Sequence, residues 1–163
     1  DFNLSYNINF IDEKKPLGTA GSLKELEEKF EIPIFVSNCD IIINADYKEI
    51  MDFHKEREYA LTIVGSMKHH IVPYGVCQIR NGGDLIKLSE KPEYDFLINT
   101  GFYVIDPKLL SLIPPKKYFD MTDLISHARR SGFKVGVFPI SEKSWIDIGQ
   151  WSEYKKVINK SKL

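Results

Sequence analysis

A chain of 163 residues, 43% hydrophobic and 28% charged, can build one globular domain with a proper core but not two comfortable ones, which argues against disorder and repeat arrays. Twenty-two Lys and Arg stand against twenty-three Asp and Glu, a net charge of -1, so no excess positive field is available to hold a nucleic-acid backbone or an anionic membrane. Cys39 and Cys77 form neither a disulfide framework nor a metal-ligand spacing, no apolar run reaches the roughly 18 residues of a membrane helix, and no signal peptide is visible, so a cytoplasmic protein is expected.

Phe2, Leu4, Tyr6, Ile8 and Phe10 alternate with polar residues, the period-2 pattern of a strand with one buried face. The chain opens at Asp1 without Met and enters this pattern at once, so a fragment of a longer protein is expected. After the loop Lys14 to Gly21, Ser22 can cap a helix carrying Leu23, Leu26 and Phe30, and Pro33 opens the buried strand Ile34-Phe35-Val36. Ile41 to Asn44 reads as a further extended segment, Tyr47 to Glu58 as an amphipathic helix through Ile50, Phe53 and His54, and Ala60 to Gly65 as the next strand. Gly75 to Arg80 and Leu85 to Glu90 flank Asn81-Gly82-Gly83, a hairpin signal because Asn-Gly turns accept positive φ. Ile98 to Ile105 reads as a buried strand, Pro107 starts a short helix, and Thr122 can cap a helix Asp123 to Ser131 that Gly132 ends. Phe133 to Pro139 is a strand, Trp145 to Gly149 a short strand and turn, and Trp151 to Ile158 a helix. The order predicts an α/β sheet, mostly parallel at first and mixed later.

Several polar residues interrupt this framework. Asp40 follows a buried strand, and ligands of open α/β sheets bind beyond the carboxyl ends of strands; it can hold Mg²⁺ or simply close a turn. Asp147, inside Trp145-Ile146-Asp147-Ile148-Gly149, needs a partner, either a basic side chain or a divalent ion shared with a phosphate. Glu90-Lys91-Pro92 can face a polar ligand or form a solvated salt bridge. Asn99-Thr100-Gly101 breaks an apolar strand, the mark of a β-bulge or of close approach by a ligand or another backbone. Leu17 to Gly21 puts small residues before a helix, where N–H groups can meet a base or phosphate or form an ordinary entry turn. His54, His69, His70 and His127 lack zinc spacing and read as surface or partly packed residues. Cys39 and Cys77 read as small thiols buried in or beside strands, without a nucleophile role.

In order and spacing, the segments Pro16 to Ser22, Val36-Ser37-Asn38-Cys39-Asp40, Tyr74-Gly75, Glu90-Lys91-Pro92, Asn99-Thr100-Gly101 and Trp145 to Gly149 resemble the sugar-1-phosphate nucleotidyltransferases, or nucleoside-diphosphate-sugar pyrophosphorylases. The resemblance implies a Rossmann-like three-layer α/β/α fold with a mixed, mostly parallel sheet, and 1–163 as a partial nucleotidyltransferase domain. It implies Asp40 and Asp147 as ligands of a catalytic Mg²⁺, Lys91 on the sugar phosphate, Glu90 and Asn99 on sugar hydroxyls, Gly75 and Gly101 as backbone contacts, and Gly18 near the base. Cys39 stands where the family usually has glycine. The implied substrates are an NTP, with GTP favoured, and a sugar 1-phosphate. The family's N-terminal glycine-rich signature is absent from this chain, so the fragment alone is expected to be inactive and inclined to self-associate, and a similar subgroup carries paired CBS modules upstream. A glycosyltransferase that consumes nucleotide sugar and a non-catalytic regulatory subunit are the alternatives.

Overall fold

The structure, a computed structural model, describes residues 7–149. The apolar run after Pro33 forms β1 (Ile34–Ser37), and Ile41–Ile43 forms β2. Helix α1 (Tyr47–Glu56) starts at Asp46, whose carboxylate accepts the N–H groups of Lys48 and Glu49 at 2.8 and 3.4 Å. Then come β3 (Leu61–Ile71), the hairpin strands β4 (Val76–Ile79) and β5 (Leu85–Ser89), and the long β6 (Glu93–Ile105). Gly82 and Gly83 turn that hairpin at φ +98° and +94°. Helix α2 (Met121–Arg130), β7 (Val135–Ile140) and β8 (Trp145–Asp147) complete the described chain.

The main sheet has the order β1-β6-β3-β7. β6 pairs antiparallel with both β1 and β3, while β7 runs parallel to β3, so β1, β3 and β7 share one direction and β6 is inverted between them. The sheet is therefore mixed, as expected, although its directly parallel neighbours are β3 and β7. Alternation along β6 sends Tyr103 and Ile105 to one face and Phe102 and Val104 to the other. The first face packs on α2, through Leu124 and Ala128, and on the 3₁₀ turn Pro107–Leu112; the second packs on α1 through Ile50. Three layers result. Among the described residues, no helix is long and apolar enough to cross a membrane.

Several local expectations are corrected. Residues 7–10 form no strand, and Ile8 and Phe10 are 57% and 85% exposed, because no described strand lies beside them; residues 2–6 of that pattern, and the helix expected at 151–158, lie outside the described residues. Gly21–Leu26 is a 3₁₀ turn entered through Ala20, without a side-chain cap from Ser22. Helix α2 begins at Asp120 rather than after Thr122: the Asp123 carboxylate accepts the Asp120 N–H at 3.1 Å, and the Thr19 hydroxyl accepts the Met121 N–H at 2.8 Å. His54 is 2% exposed, its Nδ1 2.9 Å from the Thr62 hydroxyl in a buried bond between α1 and β3. Both cysteines are exposed, Cys39 in the loop after β1 and Cys77 on a hairpin that forms its own two-stranded sheet.

Candidate active site

In β6, Tyr103 stands opposite Ile63 and Asn99 opposite Gly65, so Thr100, Gly101 and Phe102 together face Val64 alone. The strand must bulge there. The buried Thr100 hydroxyl holds the bulge from within, donating to the Val64 carbonyl at 2.8 Å and accepting the Phe102 N–H at 3.3 Å. Gly101 sits at φ +84°, and a Cβ on it would come within 2.6 Å of Asn38 Nδ2. The Asn38 N–H donates to the Gly101 carbonyl at 2.9 Å. The Asn99-Thr100-Gly101 break is thus a bulge, and its glycine is required by the close approach of the loop after β1.

That loop delivers Asp40. Its chain then enters β2, which pairs antiparallel with β8 so that Ile41 stands opposite Asp147, and the Ile148 N–H donates to the Asp40 carbonyl at 2.9 Å. The pairing draws two acidic side chains, far apart in sequence, to one place. A Cβ built on Gly149 would lie 2.7 Å from Asp40 Oδ2 and 3.2 Å from Asp147 Oδ1, so both oxygens border one point that glycine leaves open. The Gly149 N–H donates to Asp147 Oδ1 at 3.1 Å and helps to orient it. Two carboxylates bordering one point offer oxygen donors that one cation can share. Among the described residues no group of three or more His, Cys, Asp or Glu is arranged to hold a metal. A carboxylate pair matches the donor set Mg²⁺ takes when phosphate oxygens and water complete its shell.

Asp40, Asp147, Asn99 and Gly101 line one cleft of about 290 Å³, together with Asn38, Ile41, Thr100, Tyr103 and Trp145. Lys91, Glu90, Gly75 and Gly18 lie outside that lining. Gly75 and Glu90 adjoin one another at the base of the β4–β5 hairpin, where a Cβ on Gly75 would be 3.1 Å from Glu90 Oε2, and Lys91 follows at φ +43° in the turn before β6. Gly18 packs against the start of α2: a Cβ there would be 2.7 Å from Asp120 Oδ1, and the Thr19 and Ala20 N–H groups are engaged by Asp120 Oδ1 and the Phe119 carbonyl, both at 3.0 Å.

Sequence reasoning did not single out Asn38, Tyr103 and Trp145 as individual site residues. The available signal was chemical: a Tyr or Trp in an apolar strand brings a polar atom that must be satisfied. The Tyr103 hydroxyl accepts from Asn99 Nδ2 at 2.8 Å, whereas Trp145 Nε1 is buried with no hydrogen-bond partner among the described residues. Burial pushes the Tyr103 phenol above its ordinary pKa, with the Asn99 bond working the other way, so the hydroxyl stays protonated at neutral pH.

Comparison with known proteins settles the family, since the model of the nucleotidyl transferase family matches residues 2–162. The chain belongs to the nucleotidyl transferases. Two relatives are mannose-1-phosphate guanyltransferases, from Yarrowia lipolytica, 34% identical over 157 residues, and from Candida albicans, 35% identical over 162 residues. Each alignment takes in 91% of this chain but 42% of the relative, so the chain spans less than half the length of the curated relatives it matches. Among solved structures, HddC from Yersinia pseudotuberculosis complexed with GMP-PN superposes with a TM-score of 0.68 at 25% identity, covering 98% of this chain and 69% of that one. The α/β fold of this nucleotidyl transferase chain is thus the one expected from its motifs.

Proposed function

We propose that the protein to which this nucleotidyl transferase chain belongs joins a sugar 1-phosphate to an NTP, releasing pyrophosphate and forming a nucleoside-diphosphate sugar. GTP and a mannose-type sugar phosphate are the favoured substrates, in keeping with the names of the relatives. In the reaction an oxygen of the sugar phosphate attacks the α-phosphorus, the bond from that phosphorus to the bridging oxygen breaks, and pyrophosphate leaves with the electron pair. The nucleophile is already an anion, so no side chain need remove a proton; the difficulty is bringing two anions together.

The chain's residues answer that difficulty by position and charge. Asp40 and Asp147 would hold Mg²⁺, which when bound neutralises phosphate charge as bonds change. Lys91 adds a positive charge for the sugar phosphate, Glu90 and Asn99 take sugar hydroxyls, Gly75 and Gly101 would be backbone contacts, Gly101 through the carbonyl lone pair that the Asn38 N–H leaves, and Gly18 would lie by the base. Residues 1–163 act as one partial nucleotidyltransferase domain. The observation that carries this reading is the convergence of Asp40 Oδ2 and Asp147 Oδ1 on the space left by Gly149. In the full-length protein, Asp40→Asn and Asp147→Asn should each lower GTP-dependent pyrophosphate release by about 100-fold or more, as expected for losing several kcal/mol of charge stabilisation, with unfolding temperature nearly unchanged. Wild-type turnover in both variants would refute the assignment.

A further inference from the structure

In a regular strand, residues four apart are separated by roughly 13 Å, too far for Asn99 and Tyr103 to touch. The β6 bulge shortens that span until Asn99 Nδ2 donates to the Tyr103 hydroxyl at 2.8 Å. The other end of the same amide is also held: Asn99 Oδ1 accepts the Gly101 N–H at 3.0 Å. A backbone N–H can meet only the oxygen, so this bond fixes which end of the amide is which, and the nitrogen is left for the phenol. Tyr103 itself cannot drift. It is 4% exposed, and its ring is packed in the core cluster that includes Leu61, Ile105 and Leu124.

We propose that Tyr103 is a positioning residue for sugar recognition, anchoring Asn99 to the hydrophobic core so that its remaining amide N–H and its second oxygen lone pair are presented together at the cleft. An amide held at both ends offers one donor and one acceptor in fixed relation, which suits a pair of neighbouring hydroxyls on a sugar ring. A freely rotating asparagine would pay for its ordering on each binding event.

This inference rests on the nucleotidyltransferase reading, and the test separates the two. In the full-length protein, Tyr103→Phe keeps the ring and removes the anchor. Its KM for the sugar 1-phosphate should rise about tenfold, the scale of one lost hydrogen bond, while its KM for the NTP and its kcat stay within about twofold of wild type. Because the effect runs through Asn99, Tyr103→Phe should add little once Asn99→Ala is present. A fall in unfolding temperature without a rise in the KM for sugar phosphate, or full additivity of the two substitutions, would overturn the role. If the wild-type protein released no pyrophosphate from any NTP with a sugar 1-phosphate, the functional reading would fall and this role with it. If the wild type turned over and Tyr103→Phe matched it in every constant, only the positioning role would fall.

Discussion

On the α2 side of the sheet, Leu61, Tyr103 and Ile105 meet Leu109, Leu110, Ile113, Leu124 and Ala128 in a continuous buried cluster. On the α1 side, Val64, Phe102 and Val104 meet Ile50 and Ile140, with the β2–β8 ribbon laid against them through Ile41, Ile43 and Trp145. Apart from the Tyr103 hydroxyl, the first face consists of side chains that need only fill space. The second supports a short two-stranded ribbon whose end carries Asp40 and Asp147, so packing there also places polar groups. One face principally stabilises and the other principally positions. Tyr103 connects them, with its ring in the first cluster and its hydroxyl at the cleft.

Substitutions can break this contrast. The largest loss of stability should come from Leu124→Ala, which deletes fully buried atoms on the α2 side and should cost about 2–5 kcal/mol. Denaturant unfolding of the full-length protein would measure it, and molecules that remain folded should keep their activity. Gly101→Ala should cost less stability, about 1–3 kcal/mol for a side chain at φ +84°, yet more activity, because the new methyl must displace Asn38 at the cleft. If the two variants ranked the same way in stability and in turnover, the division of labour between the faces would be wrong.

The smallest effect is a dependence on pH. Burial is the main cause that lowers the His54 pKa, with Asp106 opposing and Lys108 and Lys55 adding to the shift. A folded-state pKa below the unfolded value near 6.5 means that the unfolded chain binds more protons as pH falls. The contribution of His54 is therefore fully present above about pH 6.5 and is lost as pH drops toward the folded value. Stability curves at pH 7.5 and 5.5 should differ less in His54→Gln than in wild type. His69 shifts the opposite way, raised chiefly by its bond to Asp95 at 2.9 Å, but it is exposed and solvent screens it.

Much of the framework was legible in the sequence because its signals are local. The strand readings at Ala60 to Gly65 and Ile98 to Ile105 located the buried parts of β3 and β6, helical spacing located α1, Asn81-Gly82-Gly83 marked the hairpin, and Gly132 marked the end of α2. What was not legible depends on distant partners. The start of α2 is tied by the Thr19 hydroxyl, a residue from the other end of the chain, so the local preference of Thr122 for a cap position lost. His54 appeared to be a surface or partly packed residue until Thr62 gave it a buried partner across the α1–β3 contact. At the site, the residues by themselves named Asp40 and Asp147 separately and only the family resemblance joined them; the contact that brings them together is the pairing of β2 with β8. The Asn99–Tyr103 bond depends on a bulge whose depth only the register with β3 reveals.

The pairing of Ile41 with Asp147 also sets an order of events during synthesis. A nascent polypeptide that has emerged as far as Ile140 already possesses every strand of the four-stranded sheet, yet it holds only one of the two acidic groups. Asp147 is therefore made after the sheet strands on which the pair rests, and the two carboxylates cannot meet until β8 has followed β7 and paired with β2.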